Sequence, residues 1–238
     1  MQWLGSLLFT TLMFISVALY GCVVLLLRLF GYRAMYAGVR LWCRCMLTLL
    51  RWLCGLDYSV RGMEWLPQEN GVILMKHSSA WETIAQIVLF PRQSWVLKRE
   101  LIWAPILGWT IHFLKPIAIN RQGGRASVEQ VIEQGEARLR DGLWVVIYPE
   151  GTRVPAGERK RYGVSGALLA AAAGRPVVPV AHNAGFFWPR RSLLKKPGTI
   201  QVVIGKPIET VGRDPREINN EVQEWIEAKL RAMENGVR

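Results

Sequence analysis

A histidine and a glutamate five residues apart form the first group in this chain that could do chemistry. His77 follows an apolar run at residues 71–75, and Glu82 comes five residues later. A histidine with a carboxylate partner can take a proton from an alcohol, because the carboxylate orients the ring and stabilises its protonated form. The same residues also permit a structural interpretation, since Ser79 and Glu82 fit the Ser-x-x-Glu capping box of a helix start.

A second polar group follows the apolar run at residues 143–148. It places Glu150, Gly151, Thr152 and Arg153 in one short turn. Glycine lets a backbone approach a ligand closely, and arginine can bind a phosphate through two hydrogen bonds. The alternative is an ordinary polar turn.

A third stretch sets cations beside apolar and aromatic residues. It begins at Lys98 and ends at Arg121, with two tryptophans between them. That mixture suits a ligand with both a phosphate and an apolar tail. The alternative is a solvated face above aromatic core residues.

The elements that must position these groups alternate between strands and helices after residue 56. Apolar, β-rich runs predict strands at residues 71–75, 95–97, 117–119, 143–148, 177–181 and 200–204. Periodic stretches predict helices at 126–140, at 163–173 and from Asp214, where Pro215 and Glu217 complete a helix-start pattern. This alternation predicts an α/β fold with a mostly parallel sheet flanked by helices. Ligands bind beyond the carboxyl ends of such strands, where the first two polar groups stand.

The N-terminal segment predicts membrane attachment. Residues 1–27 contain no charged side chain, and an apolar run of 25 residues is long enough to span a bilayer. No Lys or Arg precedes the run, which favours a retained helix over a signal peptide. Residues 41–56 form a second apolar stretch, which suits a helix lying in the interface or the return arm of a hairpin in one leaflet. The sequence leaves a spanning helix and a one-leaflet hairpin both open. We therefore predict a membrane-attachment segment at 1–55 and a globular domain at 56–238.

Composition excludes several other classes of protein. The four cysteines lie in apolar sequence with no Cys-x-x-Cys pair, so a metal site is not expected. A Gly-x-Ser-x-Gly motif, a phosphate-binding P-loop and a dinucleotide-binding glycine fingerprint are all missing. The net charge of +12 raises nucleic-acid binding as an alternative, but no recognised binding motif accompanies it. We predict structural roles for His112 and His182.

Taken together, the polar groups resemble the motifs of the glycerolipid acyltransferases typified by 1-acylglycerol-3-phosphate O-acyltransferase. That family has a His-x4-Asp motif, a Lys-x-Glu-Leu…Pro-x-x-Gly-Trp stretch, an Ile-x-Arg strand end, a Pro-Glu-Gly-Thr-Arg turn and a Val-Pro-Val strand. These appear here in the same order, at residues 77–82, 98–109, 119–121, 149–153 and 178–180. One residue departs from the pattern, because Glu82 stands where the family has aspartate.

The resemblance implies transfer of a fatty acyl group from acyl-CoA or acyl carrier protein to the free hydroxyl of lysophosphatidic acid, giving phosphatidic acid. His77 would be the general base and Glu82 its orienting partner. Substrate binding would fall to Lys98, Arg121, Glu150, Gly151, Thr152 and Arg153. No cofactor is implied beyond the donor, and the partners would be membrane lipids and the two substrates rather than nucleic acid. The oligomeric state is left open.

The resemblance and the N-terminal segment together predict attachment to the cytoplasmic face of the inner (plasma) membrane. The arginines that follow residue 27 support this side of the membrane. We also expect the aromatic and basic residues at 186–196 to lie in the interface. The alternatives are another lyso-lipid acceptor, or a non-catalytic basic protein that binds lipid or nucleic acid at the membrane.

Overall fold

The strands of this protein form one sheet whose strands mostly run parallel. The computed structural model describes residues 1–120 and 123–235. Its strands are β1 (Leu56–Arg61), β2 (Val72–Met75), β3 (Gln93–Lys98), β4 (Ile117–Ile119), β5 (Trp144–Ile147), β6 (Val177–His182) and β7 (Gly198–Ile204). Their order in the sheet is β1-β7-β6-β2-β5-β3-β4, and β6 and β7 form its antiparallel pair. The prediction of a mostly parallel α/β sheet is confirmed.

Five neighbouring strands, β2 to β6, share one direction. Their carboxyl ends therefore meet at one edge of the sheet, as the ligand-binding rule for such folds requires. Each of the six predicted strands is present, with ends that move by at most two residues. β1 was not predicted, because it is an edge strand of alternating polar and apolar residues with no continuous apolar run.

Helices cover both faces of the sheet. They are α1 (Gln2–Leu27), α2 (Tyr32–Cys54), α3 (Trp81–Leu89), α4 (Leu107–Phe113), α5 (Arg125–Arg140), α6 (Ser165–Ala172), α7 (Ala184–Phe187) and α8 (Pro215–Asn235). The Asp214 carboxylate accepts the backbone N–H of Arg216, so the predicted start of α8 is confirmed. The predicted apolar stripe of this helix is buried: Ile218, Val222, Ile226, Leu230 and Met233.

The first two helices form an antiparallel hairpin that packs against one face of the sheet. Trp42 of α2 donates its indole N–H to the hydroxyl of Ser16 on α1 at 3.0 Å. Buried residues of both helices, such as Phe9 and Leu50, belong to the same apolar core as the strand residues Ile73 and Val146. The division of the chain at residue 55 stays a prediction.

α1 also presents a long apolar face to the outside. Within the described part of the chain, Gln2–Phe30 is the helix that is long and apolar enough to cross a membrane, and 11% of its most apolar stretch is buried. The exposed side chains include Trp3, Leu4, Leu7, Phe14, Ile15, Leu19 and Leu26. An exposed apolar face of this size marks a surface that contacts lipid or another protein.

Both ends of α1 contact the same folded domain. Near its start, Ser6 accepts the backbone N–H of Lys195 at 3.0 Å, and the Phe9 ring meets the Trp188 ring edge-on at 5.6 Å. Near its end, Gly21 lies against Ile106, just before α4. The helix is about 39 Å long at 1.5 Å per residue, and it lies along the domain over that length.

The segment at 186–196 was expected to lie in a membrane interface, but part of it is buried in the protein. Trp188 and Lys195 are 5% and 1% exposed, because they pack beneath α1. The Lys195 ammonium group donates to the carbonyl of Leu193 at 2.9 Å and stands over the Phe9 and Trp188 rings. The expectation is wrong for these two residues, which hold α1 in place. Arg190 and Arg191 of the same segment are exposed.

Candidate active site

His77 lies in the loop that leaves β2, at the edge where the parallel strands end. Its Nδ1 atom is 2.8 Å from Oε1 of Glu82, and 12% of its side chain is exposed. The ring stacks on Tyr148, with ring centres 4.1 Å apart and planes 21° from parallel. With Nδ1 engaged by the carboxylate, Nε2 is the nitrogen that can accept a proton from a substrate.

Glu82 orients His77 and also holds the loop before α3, although α3 begins after Ala80 and has no side-chain cap. Glu82 is fully buried in the first turn of α3, and its Oε1 also accepts the backbone N–H groups of Ser78 and Ser79, each at 2.7 Å. Burial raises the pKa of this carboxyl, but the contact with His77 and the Ser79 N–H act in the opposite direction, and the pKa is lowered. Glu82 is therefore ionised at neutral pH, and it holds the loop before α3 while it orients His77.

His182 closes the site from behind Glu82. It ends β6, is fully buried, and its Nε2 lies 2.8 Å from the carbonyl oxygen of Lys76 and 4.0 Å from Oε2 of Glu82. Burial lowers the pKa of His182, so the ring is neutral. Its Nδ1 accepts the backbone N–H of Ala184 at 3.3 Å, which leaves Nε2 to donate to Lys76. His182 thus fixes the main chain that immediately precedes His77.

Glu150 lies beneath the same loop as a buried carboxylate. Its Oε1 is 2.9 Å from the Lys76 ammonium group, and its Oε2 accepts the His77 backbone N–H at 3.2 Å. Lys76 also lies 3.5 Å from Glu227 on α8. Burial raises the pKa of Glu150 to about 7, although Lys76 acts in the opposite direction. The carboxylate of Glu150 therefore supports the His77 loop, and the C-terminal helix is tied to the same network.

The turn after Glu150 has a shape that requires glycine. Gly151 has a φ of 66°, in the left-handed region that side chains disfavour. Arg153 follows two residues later, and its buried Nε has no hydrogen-bond partner among the described residues. A buried guanidinium nitrogen without a partner carries a free-energy cost that a bound anion would offset. Thr152 lies between them and is half-buried.

A cavity of about 370 Å³ opens beside His77. Apolar side chains from the strands and α5 line its inner part: Val96, Ile119, Val131 and Ile147. Exposed residues line its mouth, among them Gly151 and the cations Lys160 and Arg161. The Lys160 ammonium group donates to the carbonyl of Glu150 at 2.9 Å, so a cation is held at the rim. The cavity can therefore take a molecule with an anionic end and an apolar body.

Some of the residues predicted to form the site line this cavity, and others do not. His77, Glu150 and Gly151 line it. Lys98 ends β3 at the same sheet edge, but its side chain is half-exposed and its ammonium group lies 3.2 Å from Glu100. Arg121, predicted to bind substrate, lies outside the described residues.

Sequence reasoning missed the cations at the cavity mouth and the polar groups behind the loop. Lys160 and Arg161 come from a basic run at 159–161 that matches no motif. Lys76 directly precedes His77, but nothing local shows that it pairs with two carboxylates. His182 was predicted to be structural, and its position five residues after the start of a strand gave no sign of its contact with Lys76.

Comparison with known proteins finds the same pattern across most of the chain. A family model described as Acyltransferase matches residues 57–183. A Pseudomonas aeruginosa protein named 1-acyl-sn-glycerol-3-phosphate acyltransferase is 41% identical over 230 residues, which cover 94% of this chain and 90% of its own. A Cocos nucifera protein of the same name is 26% identical over 74% of this chain and 57% of its own.

A solved structure shares the fold over nearly the whole length. The crystal structure of the 1-acyl-sn-glycerophosphate acyltransferase from Thermotoga maritima superposes with a TM-score of 0.81. The match covers 98% of this chain and 96% of that one, at 21% sequence identity. The two proteins therefore have the N-terminal helices and the sheet in a common arrangement.

Proposed function

The chain belongs to the acyltransferase family, and from this premise we propose that it moves a fatty acyl group from an acyl thioester to the free hydroxyl of lysophosphatidic acid. The product is phosphatidic acid, an intermediate of phospholipid biosynthesis. The names of the Pseudomonas and Cocos relatives support this acceptor. The observation that carries the proposal is the 2.8 Å contact between His77 and Glu82 beside an apolar cavity with cations at its mouth.

In the proposed mechanism, Nε2 of His77 takes the proton of the acceptor hydroxyl. The hydroxyl oxygen attacks the thioester carbonyl carbon, and the carbonyl electron pair moves onto oxygen to form a tetrahedral oxyanion. When the carbonyl re-forms, the carbon–sulfur bond breaks and the thiolate leaves with the proton from Nε2. Glu82 stays ionised throughout, because it is buried among donors that stabilise its charge. No covalent acyl-enzyme is required.

We assign the acceptor phosphate to the cations near Gly151. Lys160 lines the cavity mouth. Arg153 does not line the cavity itself, but it follows Gly151 by two residues and its buried Nε has no hydrogen-bond partner among the described residues. Arginine binds phosphate through paired hydrogen bonds and lysine does so as a point charge. Lys98, Arg121 and Thr152 remain predictions for this role, and Glu150 acts through the loop it supports.

We also propose that the α1–α2 hairpin attaches the enzyme to one leaflet at the cytoplasmic face of the inner membrane. A spanning helix carries its two ends to opposite sides of the bilayer, but both ends of α1 contact the same domain. The exposed apolar face of α1 can instead lie in the leaflet beside the active site. Thioester donors are dissolved in the cytoplasm, which favours that face.

The test is acyl transfer by purified full-length protein in detergent. Lysophosphatidic acid is the acceptor, and acyl-CoA and acyl carrier protein thioesters are offered as donors in parallel. We expect phosphatidic acid with at least one donor, and loss of activity in His77→Ala by a factor of about 10²–10⁴. Asn220→Ala is the control, because Asn220 is exposed on α8 and outside the catalytic loop. A fully active His77→Ala enzyme would contradict the mechanism, and no product with either donor would contradict the acceptor.

A further inference from the structure

Large apolar side chains are exposed along residues 101–113, the segment that follows β3. The exposed fraction is 77% for Trp103, 53% for Trp109 and 42% for Leu107, and Leu101 and Phe113 are also exposed. This segment comprises the end of a 3-10 turn, Arg99–Trp103, and the short helix α4. So much apolar surface in so few residues marks a contact with a membrane or another protein.

The segment continues the apolar face of α1. Gly21 of α1 lies so close to Ile106 that a Cβ atom at this glycine would be 2.5 Å from Cγ2 of Ile106. At the end of the hairpin, the guanidinium group of Arg28 stands 5.7 Å over the Phe113 ring. The exposed face of α1 and the 101–113 segment are therefore one surface rather than two separate patches.

This surface begins at the active-site edge of the sheet. β3 lies beside β5 in parallel, and Tyr148, directly after β5, stacks on His77. The 101–113 segment leaves β3 at that same edge. Exposed cations flank it at Arg28 and Arg99, where anionic lipid headgroups would meet them.

We propose that residues 101–113 form a second membrane-binding element, which enters the headgroup–acyl boundary beside α1 and holds the His77 edge of the sheet against the bilayer. The occupant is lipid rather than a second copy of the chain. A symmetric pair would bring like charges, such as Arg28 and Arg99, toward their own copies, whereas anionic headgroups attract them. This inference deepens the proposed function, because it gives the route by which a lipid acceptor reaches His77.

The first test measures insertion without any reference to activity. Full-length protein has its two exposed cysteines, Cys22 and Cys45, replaced by alanine, which leaves the buried Cys43 and Cys54 unlabelled. A polarity-sensitive fluorophore is then attached to a single new cysteine, in Trp103→Cys or in Leu107→Cys. Trp65→Cys is the matched control, since Trp65 is 42% exposed and precedes β2, away from the His77 edge.

The probe is a vesicle of phosphatidylcholine and phosphatidylglycerol, with and without brominated acyl chains. We expect the labels at 103 and 107 to shift to the blue and to lose at least about half of their intensity to the bromine atoms. The emission wavelength and intensity of the label at 65 should be the same with vesicles as in water. If the protein is bound to the vesicles while the labels at 103 and 107 behave like the label at 65, the proposal is overturned.

The second test asks whether the element delivers the acceptor. The double variant Trp103→Ser, Leu107→Ser should raise the apparent KM for lysophosphatidic acid embedded in vesicles by about fivefold or more. Its turnover of a short-chain, water-soluble lysophosphatidic acid should be unchanged, which also shows that the variant is folded. An equal effect on both acceptors would contradict delivery through this surface. Failure of the proposed function would instead appear as no activity in any variant, while the fluorescence result would still decide membrane insertion.

Discussion

Oε1 of Glu82 lies 2.8 Å from Nδ1 of His77 and also accepts the backbone N–H groups of the two residues that follow this histidine. One oxygen thereby sets both the orientation of the ring and the path of the loop that carries it. The negative charge of Glu82 and the length of its side chain should therefore affect catalysis in different ways. Two substitutions can distinguish these effects.

Removing the charge should lower the rate of the chemical step. Glu82→Gln keeps the length of the side chain but cannot stabilise a protonated His77, so we expect kcat to fall by about 10²-fold. KM for the acceptor should stay within a factor of about two, because position 82 does not contact the substrate in this mechanism. Steady-state kinetics would measure both constants, with Glu64→Gln as an exposed control. A variant with normal kcat would remove Glu82 from the mechanism.

Shortening the side chain should disturb geometry while it keeps the charge. Glu82→Asp withdraws the carboxylate by about 1.5 Å, one carbon–carbon bond, from donors that lie at 2.7–2.8 Å. We expect a kcat between those of wild type and Glu82→Gln, together with a lower midpoint of thermal unfolding. A wild-type kcat and unfolding midpoint would show that the loop adjusts freely to aspartate.

His182 should position His77 through the carbonyl of Lys76. His182→Gln can place an amide N–H near the position of Nε2, whereas His182→Asn is too short to reach Lys76. We expect Asn to lower kcat by about tenfold, one lost hydrogen bond in a buried site, with an unchanged KM. Gln should retain most of the activity. Equal losses in both variants, matched by equal losses of thermal stability, would point to packing alone.

Glu150 should make stability depend on pH between its two pKa values. Burial raises its pKa in the folded chain from 4.5 to about 7, so the folded protein keeps a proton that the unfolded chain has already lost. The free energy of unfolding of wild type should therefore fall, relative to Glu150→Gln, as pH rises through this range. The difference should amount to at most a few kcal/mol by the linkage of pKa to stability.

Urea unfolding of both proteins at several pH values would measure this difference. Glu209→Gln is the control, because Glu209 is exposed. If wild type and Glu150→Gln show parallel curves across pH, the Glu150 carboxyl carries no raised pKa in the folded protein.

The sequence was sufficient to predict those parts of the fold that depend on local pattern. The run before His77 is continuously apolar, and β2 is buried along its whole length. The start of α8 follows from Asp214 and Pro215. β1 was missed, because polar residues alternate with apolar ones along it and interrupt its apolar signal.

The site could be predicted only where its residues are close in the sequence. His77 and Glu82 are five residues apart and share a loop and a helix turn. By contrast, the partner of Lys76 is 74 residues away at Glu150, and its second partner is on α8. Such pairs form only when distant strands and helices assemble, so no local sequence pattern predicts them. The contact between Lys195 and the start of α1 is also long-range. It buries Trp188 and Lys195, which composition alone had assigned to the membrane interface.

The contact of both ends of α1 with one domain has a consequence for the shape of the bilayer. Under the proposed one-leaflet attachment, the enzyme adds its new chains to a single leaflet, because it does not reach the other. Each turnover widens the lipid it acts on from one chain to two, so that leaflet gains area while its opposite does not. Unless lipids cross to the other side at a matching rate, the accumulated difference in area bends the membrane toward the side opposite the enzyme.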